Sequence, residues 1–419
     1  MNSNVRRGGW LIVGMLALST FLNYVDRQTL SLLARPIQDA LQMDDRGYAM
    51  VVTSFMVAYT VGNLSSGYLI DRFGAMRAMP VFVVFWSLAG ALCGLVETTP
   101  QLGVSRFMLG LFETGNFVAA PIIVSMYLPA DQKAFGIGIY TAAAMLGAAV
   151  SPPLVTLINA AVGWRAAFLI MGAAGLLWTL AWWLMPAAGG ATAAKTEQRA
   201  EPPGAVDIET WSQALREPRV WAQAIGTMLT FPVWFFYLNW FPKYLTDERG
   251  LSTMEMGERA WVVYLFAGIG CMVAGALIAA LSRRAGLSPL RARFAAMAVV
   301  AVLAPVGAVN YFAPPLTVSL ASAAWVALFH MIWQITVTSL PLELFTARSL
   351  GKVLGIVGIM CGIGGIASTW LIGNLVSTVS FRPMFVVMAA VYAIAMVVML
   401  LLLARGGGWK ILAAAASAR

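Results

Sequence analysis

Long apolar runs follow one another along almost the whole chain, separated by short polar or Pro/Gly-containing segments. The runs are about 20 residues long or longer, which is the length an α-helix needs to cross the hydrocarbon core of a bilayer. The pattern predicts twelve transmembrane helices, at 10–33, 49–70, 78–96, 101–128, 135–160, 165–186, 219–245, 259–281, 293–311, 315–340, 351–376 and 382–404.

One long polar segment, 187–218, divides these helices into two sets of six. We therefore predict an all-α membrane protein with an N-terminal six-helix bundle at 1–186. A cytoplasmic linker at 187–218, with a short helix near 208–215, leads to a C-terminal bundle and cytoplasmic tail at 219–419. Two consecutive sets of six helices are typical of transporters built from repeats.

The composition agrees with a membrane protein and excludes several other classes. Apolar residues make up 60% of the chain, charged residues 11%, and the mean hydropathy is +0.80, whereas soluble domains carry about 25% charged residues. One histidine and three scattered cysteines cannot form a His- or Cys-rich metal site, so we expect no metal and no cofactor. The charges are scattered among loops rather than gathered on a basic face, which argues against nucleic acid. With no nucleophile elbow either, we expect no enzyme activity.

The distribution of Lys and Arg predicts the orientation. With both termini in the cytoplasm, 18 of the 27 Lys and Arg residues fall on inner segments and 7 on outer segments. This bias follows the positive-inside rule. We predict a multi-pass membrane protein, in contact with lipid and monomeric, with both termini cytoplasmic.

Four charged residues fall well inside predicted spans: Asp26, Arg27, Arg106 and Glu113. Each would cost about 2.5–3.5 kcal/mol at the centre of a membrane helix, so they are expected to neutralise one another. Arg106 and Glu113 are seven residues apart and share one helix face. Asp26 and Arg27 are adjacent and point about 100° apart, so one can face helix four while the other faces a cavity.

This quartet has a structural and a functional interpretation. It could only lock two helices together, although buried ion pairs stabilise weakly. Alternatively, a substrate anion takes the arginine from its carboxylate, which then binds a proton. We predict that a substrate pocket is completed by polar side chains on helices one, two and seven: Asn23, Tyr24, Tyr59, Tyr237 and Asn239.

The segment between helices two and three resembles the cytoplasmic loop signature of the major facilitator superfamily. The matching residues are Gly67, Asp71, Arg72 and Arg77, within the run 67–77. The resemblance implies a fold of twelve helices in two bundles and a gate at this loop. We expect Gly67 to allow close helix approach, and Asp71 and the arginines to form a gate network.

Two further segments, Asn23–Gln28 and Arg106–Glu113, resemble the anion:cation symporter family, and in particular bacterial hexuronate and galactonate proton symporters. That resemblance implies that Arg27 contacts the substrate carboxylate and that Tyr24 and Tyr59 line the pocket. It also implies that Asp26 and Glu113 carry or relay the proton and that Arg106 pairs with them.

The second half departs from the hexuronate pattern, because Phe231 replaces an aspartate of helix seven and Ala279 replaces an acidic residue of the second loop signature. We expect a secondary active transporter that carries protons with an organic anion, a sugar acid such as a hexuronate or aldonate, by alternating access. The alternative is a proton-coupled exporter of amphipathic compounds, whose helix-five signature the segment 147–153 partly approximates.

Overall fold

The computed structural model describes residues 3–128, 130–185, 205–346 and 348–406, and this part of the chain is helical almost throughout. The first half contains α1 Ser3–Leu32, α2 Ala34–Leu41, α3 Asp45–Phe73, α4 Ala75–Cys93, α5 Thr99–Tyr127, α6 Ala130–Val162 and α7 Trp164–Leu184. The second half contains α8 Trp211–Arg216, α9 Pro218–Asn239, α10 Phe241–Asp247, α11 Thr253–Arg284, α12 Pro289–Leu303, a 3-10 helix Ala304–Phe312, α13 Leu316–Ser339, α14 Pro341–Leu344, α15 Leu350–Val376 and α16 Arg382–Arg405.

Within the described residues, ten helical segments are long and apolar enough to cross a membrane. They include α1, α4 to α7, α11, α13, α15 and α16, together with α12 extended by the 3-10 helix. The predicted spans 49–70 and 219–245 fall on α3 and on α9 with α10, and these helices are not among the ten. The length and composition of the ten segments are those of a multi-pass membrane protein, and the count of twelve spans stays a prediction.

Two predicted helices are interrupted, in each case next to a proline. The run 219–245 is broken at Trp240, between α9 and α10, because Pro242 has no N–H to continue the helical hydrogen bonds. The run 293–311 changes to a 3-10 helix at Ala304, and Pro305 lies at its start. The predicted linker helix is confirmed but begins at Trp211, where the Thr210 side chain and Gln213 form a capping box.

The chain divides into two compact units that are not continuous in sequence. Unit 1 comprises 1–196, 238–265 and 370–379, and unit 2 comprises 197–237, 266–369 and 380–419. The predicted bundle boundaries at 186 and 219 stay a prediction.

Unit 1 contains α1 to α7, with α3 packed on α5, α1 on α6, and α4 on α5 and α7. Gly110 on α5 allows α3 to approach closely, since a Cβ at this position would lie 2.5 Å from the carbonyl oxygen of Phe55. Gly74 connects α3 to α4 at a positive φ of 82°, which other residues adopt only with strain. The close crossing at Gly110 brings the middle of α3 to the charged face of α5.

In unit 2, a short extended segment of the linker is fixed to the loop before α15. Val206 forms an isolated parallel bridge with Phe345, and the Ile208 amide donates to the Ser349 hydroxyl at 2.6 Å. The Asp207 carboxylate accepts a hydrogen bond from the Thr346 hydroxyl at 2.6 Å, and this bond is the largest contribution to a lowered pKa of Asp207. We call residues 206–208 the linker strap.

Candidate functional site

The site is built around one buried ion pair between α1 and α5. Arg27 donates through Nε and Nη2 to the same oxygen of Glu113, Oε2, at 3.0 and 2.9 Å. Glu113 is fully buried, whereas 7% of Arg27 is exposed. Among the described residues Glu113 is the only carboxylate within 4 Å of Arg27. The second oxygen of Glu113, Oε1, is buried and has no hydrogen-bond partner among these described residues.

Four aromatic rings surround the guanidinium of Arg27. Its central carbon lies 4.7 Å from the ring centre of Tyr59 and 5.4 Å from that of Tyr24. The rings of Phe55 and Phe117 lie at 5.5 and 5.9 Å. At such distances the ring faces attract a cation without accepting its hydrogen bonds strongly, so they hold the charge but leave its N–H donors to carboxylates.

Tyr24 and Tyr59 are brought to Arg27 as the sequence predicts, but Phe55 and Phe117 were missed. Each lies one helical turn from a predicted site residue, Phe55 before Tyr59 and Phe117 after Glu113. That spacing places them on the same helix faces as the site, and it is the signal that could have found them.

Burial increases from the rim of this cage to its floor. Tyr24, Tyr59 and Phe117 are partly exposed, whereas Phe55 and Glu113 are buried. The tyrosine rings and Arg27 are therefore more accessible than Glu113.

Arg106 lies beneath the cage and does not form the ion pair that was expected of it. Its Nη2 donates to the Arg27 carbonyl at 3.4 Å, and its guanidinium lies 4.8 Å from the ring centre of Phe55. Nε and Nη1 are buried without hydrogen-bond partners among the described residues. Because the ion pair of Glu113 is with Arg27, Arg106 is a second buried cation. Its two donors remain available to another acceptor.

Asp26 lies on another side of α1, as its position next to Arg27 predicts. It is buried, and its Oδ2 has no hydrogen-bond partner in the described part of the chain. Its Oδ1 lies 3.8 Å from the position a Cβ would take at Gly90, which places the carboxyl group against α4. The two carboxyl groups of the quartet thus have different surroundings, one paired with an arginine and one facing a glycine.

Asn23 lies one turn before Arg27 on α1 and is completely buried. Both its amide oxygen and its amide nitrogen lack hydrogen-bond partners among the described residues. Buried amides are nearly always hydrogen-bonded, so this side chain can bind a further polar group. Its predicted role in substrate binding remains a prediction.

The two predicted pocket residues of helix seven fall in different compact units. Tyr237 belongs to unit 2, where its hydroxyl lies 3.3 Å from the position of a Cβ at Gly307. Asn239 belongs to unit 1, where its backbone carbonyl accepts a hydrogen bond from the Tyr48 hydroxyl at 3.0 Å. Their roles in the pocket remain predictions.

Near Asn239, Lys243 forms a charged cluster that sequence reasoning missed. Its buried ammonium group binds the carboxylates of Asp247 and Asp45, the latter at 2.8 Å. Gln38 also donates to Asp45, at 3.0 Å. Burial raises the pKa of Asp45, but the hydrogen bonds from Lys243 and Gln38 outweigh it and leave the pKa below its ordinary value.

The predicted gate residues lie in the last two turns of α3 and the first turn of α4. The close approach expected at Gly67 is wrong for this structure, since a Cβ there would meet no atom of the described residues within 4 Å. Arg72 and Arg77 are exposed, and Arg72 donates to the Tyr68 hydroxyl at 3.3 Å. The side chain of Asp71 lies outside the described part of the structure, and the gate stays a prediction.

Known proteins resemble this chain over nearly its full length. The "Hexuronate transporter" of Escherichia coli (strain K12) is 24% identical over 392 residues, which cover 91% of this chain and 90% of the relative. The "Probable sulfoacetate transporter SauU" of Cupriavidus necator is 26% identical over 400 residues, covering 92% and 91%. A crystal structure of a bacterial homologue of the human lysosomal transporter Spinster, in an inward-facing and occupied conformation, superposes with a TM-score of 0.72 at 17% identity, covering 99% of this chain and 98% of that chain.

Helical spans, similar folds and similar sequences together define a multi-pass membrane transporter rather than an enzyme. Residues 16–369 match the Major Facilitator Superfamily, and the chain belongs to that family.

Proposed function

We propose that this transporter carries a small organic anion together with protons, and that the anion binds to Arg27 in exchange for Glu113. The observation that carries the proposal is the buried Arg27–Glu113 pair inside an aromatic cage, with Arg27 the more exposed partner. An arginine held by rings and a single carboxylate can change one carboxylate for another.

The exchange links anion binding to proton binding through the cost of burying charge. When a substrate carboxylate takes the two donors of Arg27, Glu113 is left without its cation in a site of low dielectric. A buried carboxylate in that position is more stable when it binds a proton. The pocket then holds a neutral Glu113 and a neutralised substrate, and it can reorient across the membrane without an unpaired buried charge.

Asp26 and Arg106 form the second part of this proposed mechanism. Asp26 has no arginine within ion-pair distance among the described residues, so it is a second group that can bind a proton. Arg106 has two donors, Nε and Nη1, without hydrogen-bond partners in the described part of the chain. Coupled carboxyl groups titrate as a set, so the proton belongs to Asp26 and Glu113 together.

For the substrate we propose a sugar acid, such as a hexuronate or aldonate. The hexuronate transporter from Escherichia coli is similar over nearly the whole chain, and the unpartnered amide of Asn23 and the hydroxyls of Tyr24 and Tyr59 suit a hydroxylated anion. The protein would act in the bacterial inner membrane by alternating access.

The test begins with a thermal-shift screen of the purified protein against hexuronates, aldonates, simple carboxylates and small sulfonates, since a ligand that binds the native state stabilises it. Uptake of the best ligand is then measured in proteoliposomes with and without an inward proton gradient. We expect accumulation only with the gradient.

The matched variants are Arg27→Lys and Arg35→Lys. Lysine keeps the charge of Arg27 but loses its planar pair of donors, so affinity should fall about 10- to 100-fold, as for the loss of roughly 1.5–3 kcal/mol. Arg35 is exposed and outside the cage, so its variant should bind as the wild type does. Uptake that ignores the proton gradient would refute the coupling, and export of uncharged amphipathic compounds without binding of any acid would favour the exporter.

A further inference from the structure

Unit 1 contains a concave region at the N-terminal end of α3. This cleft, of about 910 Å³, lies where α2 ends, α3 and α5 begin and α15 ends. The Lys/Arg distribution predicts that this end of the bundle faces outward. We call it the outer cleft; among its lining residues are Asp44, Arg46, Met50, Thr53, Pro100 and Trp370.

An apolar groove of about 480 Å³ adjoins the outer cleft and shares Pro100 with it. The groove is lined mainly by aliphatic side chains, and Leu95 and Val104 are 62% and 66% exposed. Exposed leucine and valine of this extent are expected on a surface covered by lipid chains rather than by water. A polar cleft that continues into an apolar groove matches the two parts of an amphipathic molecule.

The charges of the outer cleft identify the headgroup that it fits. Arg46 is exposed and has no ion pair or hydrogen bond within the described residues. Asp44, two positions earlier, caps α3 with Oδ1, at 2.8 Å from the Gly47 amide, so its other oxygen can accept from a cation. Thr53 adds a buried hydroxyl that has no hydrogen-bond partner among the described residues. Trp370, which is 62% exposed, has the position of an interfacial aromatic residue.

We propose that the outer cleft and the apolar groove bind one phospholipid with a phosphoethanolamine headgroup. Its phosphate pairs with Arg46 and its ammonium group with Asp44, while one acyl chain crosses Pro100 and lies along Leu95 and Val104. A zwitterionic headgroup satisfies both charges of the cleft, whereas an anionic headgroup leaves the carboxylate of Asp44 without a cation. The apolar groove distinguishes a lipid from a water-soluble acid, which would use the polar cleft alone.

The experiment measures lipid retention on the full-length protein by native mass spectrometry. Delipidated protein is mixed with equal amounts of phosphatidylethanolamine and phosphatidylglycerol of the same acyl chains. Arg46→Ala tests the headgroup contact and Leu95→Ser tests the groove. Arg35→Ala, at an exposed arginine on α2 that does not line the cleft, is the matched control. All three positions are exposed, so the variants should fold, and thermal melting of each checks this.

We expect one phosphatidylethanolamine per chain, retained at least tenfold more than phosphatidylglycerol. Arg46→Ala should remove most of this preference, Leu95→Ser should weaken retention of both lipids, and Arg35→Ala should change neither. Equal retention of the two lipids would overturn the proposed headgroup recognition. An unchanged preference in Arg46→Ala, or unchanged retention in Leu95→Ser, would overturn the site. Transport activity is not needed for this measurement, so its outcome is independent of the proposed function.

Discussion

Replacing Glu113 by glutamine removes the carboxylate that binds Arg27 while nearly preserving the size and shape of the side chain. In the wild type, an incoming anion must displace two charge-assisted hydrogen bonds of 2.9 and 3.0 Å. Such bonds contribute about 1.5–3 kcal/mol each relative to water. If one bond of this strength no longer competes, the anion should bind about 10- to 100-fold more tightly, because about 1.4 kcal/mol corresponds to a factor of ten.

The same change should destabilise the protein without ligand. Removing one partner of a buried ion pair costs roughly 3–5 kcal/mol, since the remaining charge is left uncompensated. We expect the lower end of this range, because 7% of Arg27 is exposed and the rings around it are retained. Glu113→Gln should therefore melt below the wild type without ligand and gain more from a saturating anion.

Transport should separate from proton coupling in this variant. A glutamine cannot take up a proton at the exchange step, so an inward proton gradient should no longer drive accumulation, while exchange of anion across the membrane persists. Binding is measured by calorimetry and transport in proteoliposomes, with Glu97→Gln, an exposed carboxylate, as the control. Unchanged affinity together with unchanged gradient-driven accumulation in Glu113→Gln would refute the exchange mechanism.

Three further predictions concern the supporting structure. Gly110→Ala should lower the melting temperature, as expected for overpacking of about 1–3 kcal/mol, because its Cβ would lie 2.5 Å from a carbonyl oxygen of α3. Gly14→Ala is the control and should leave the melting temperature unchanged, because a Cβ there meets no described atom within 4 Å. Tyr59→Phe should keep the ring over Arg27, whereas Tyr59→Ala should lose about 0.5–2 kcal/mol of stability, and equal melting of the two variants would exclude a role for the ring. The pKa of Asp45 in the folded protein lies below its ordinary value, so its contribution to stability should be present above about pH 3.9 and be lost as the pH falls further. The melting temperatures of the wild type and of Asp45→Asn should therefore converge between pH 6 and pH 3. A constant difference between them over this range would contradict the prediction.

Most helices could be predicted from the sequence because the apolar runs end where turn residues occur. The α3–α4 turn falls at Gly74, whose positive φ allows a new helix to begin at the next residue. The break at Trp240 was not predicted, because apolar and aromatic residues continue through it and hydropathy does not register a missing backbone donor. The helix α2 was missed because eight residues between two apolar runs carry too weak a pattern.

At the site, the sequence predicted which charges are buried but not how they pair. Charges are rare inside membrane spans because each is costly there, and this condition singled out Asp26, Arg27, Arg106 and Glu113. Glu113 pairs with Arg27 rather than with Arg106 because of the rotation of α1 against α5, and helix packing sets that rotation. The same packing turns Phe55 and Phe117 toward the site, although in the sequence they resemble any phenylalanine of a lipid-facing helix.

The linker strap has a practical consequence for dividing the chain into two separately expressed fragments. The hydrogen bonds of residues 206–208 go to the end of α14, to the loop that follows it and to the start of α15, and Ile208 and Ala214 are buried. A cut between residues 218 and 219, where the predicted second bundle begins, would remove this segment from unit 2 and expose the apolar residues that it covers. The fragment containing unit 2 should therefore start no later than residue 205, so that it includes the linker strap.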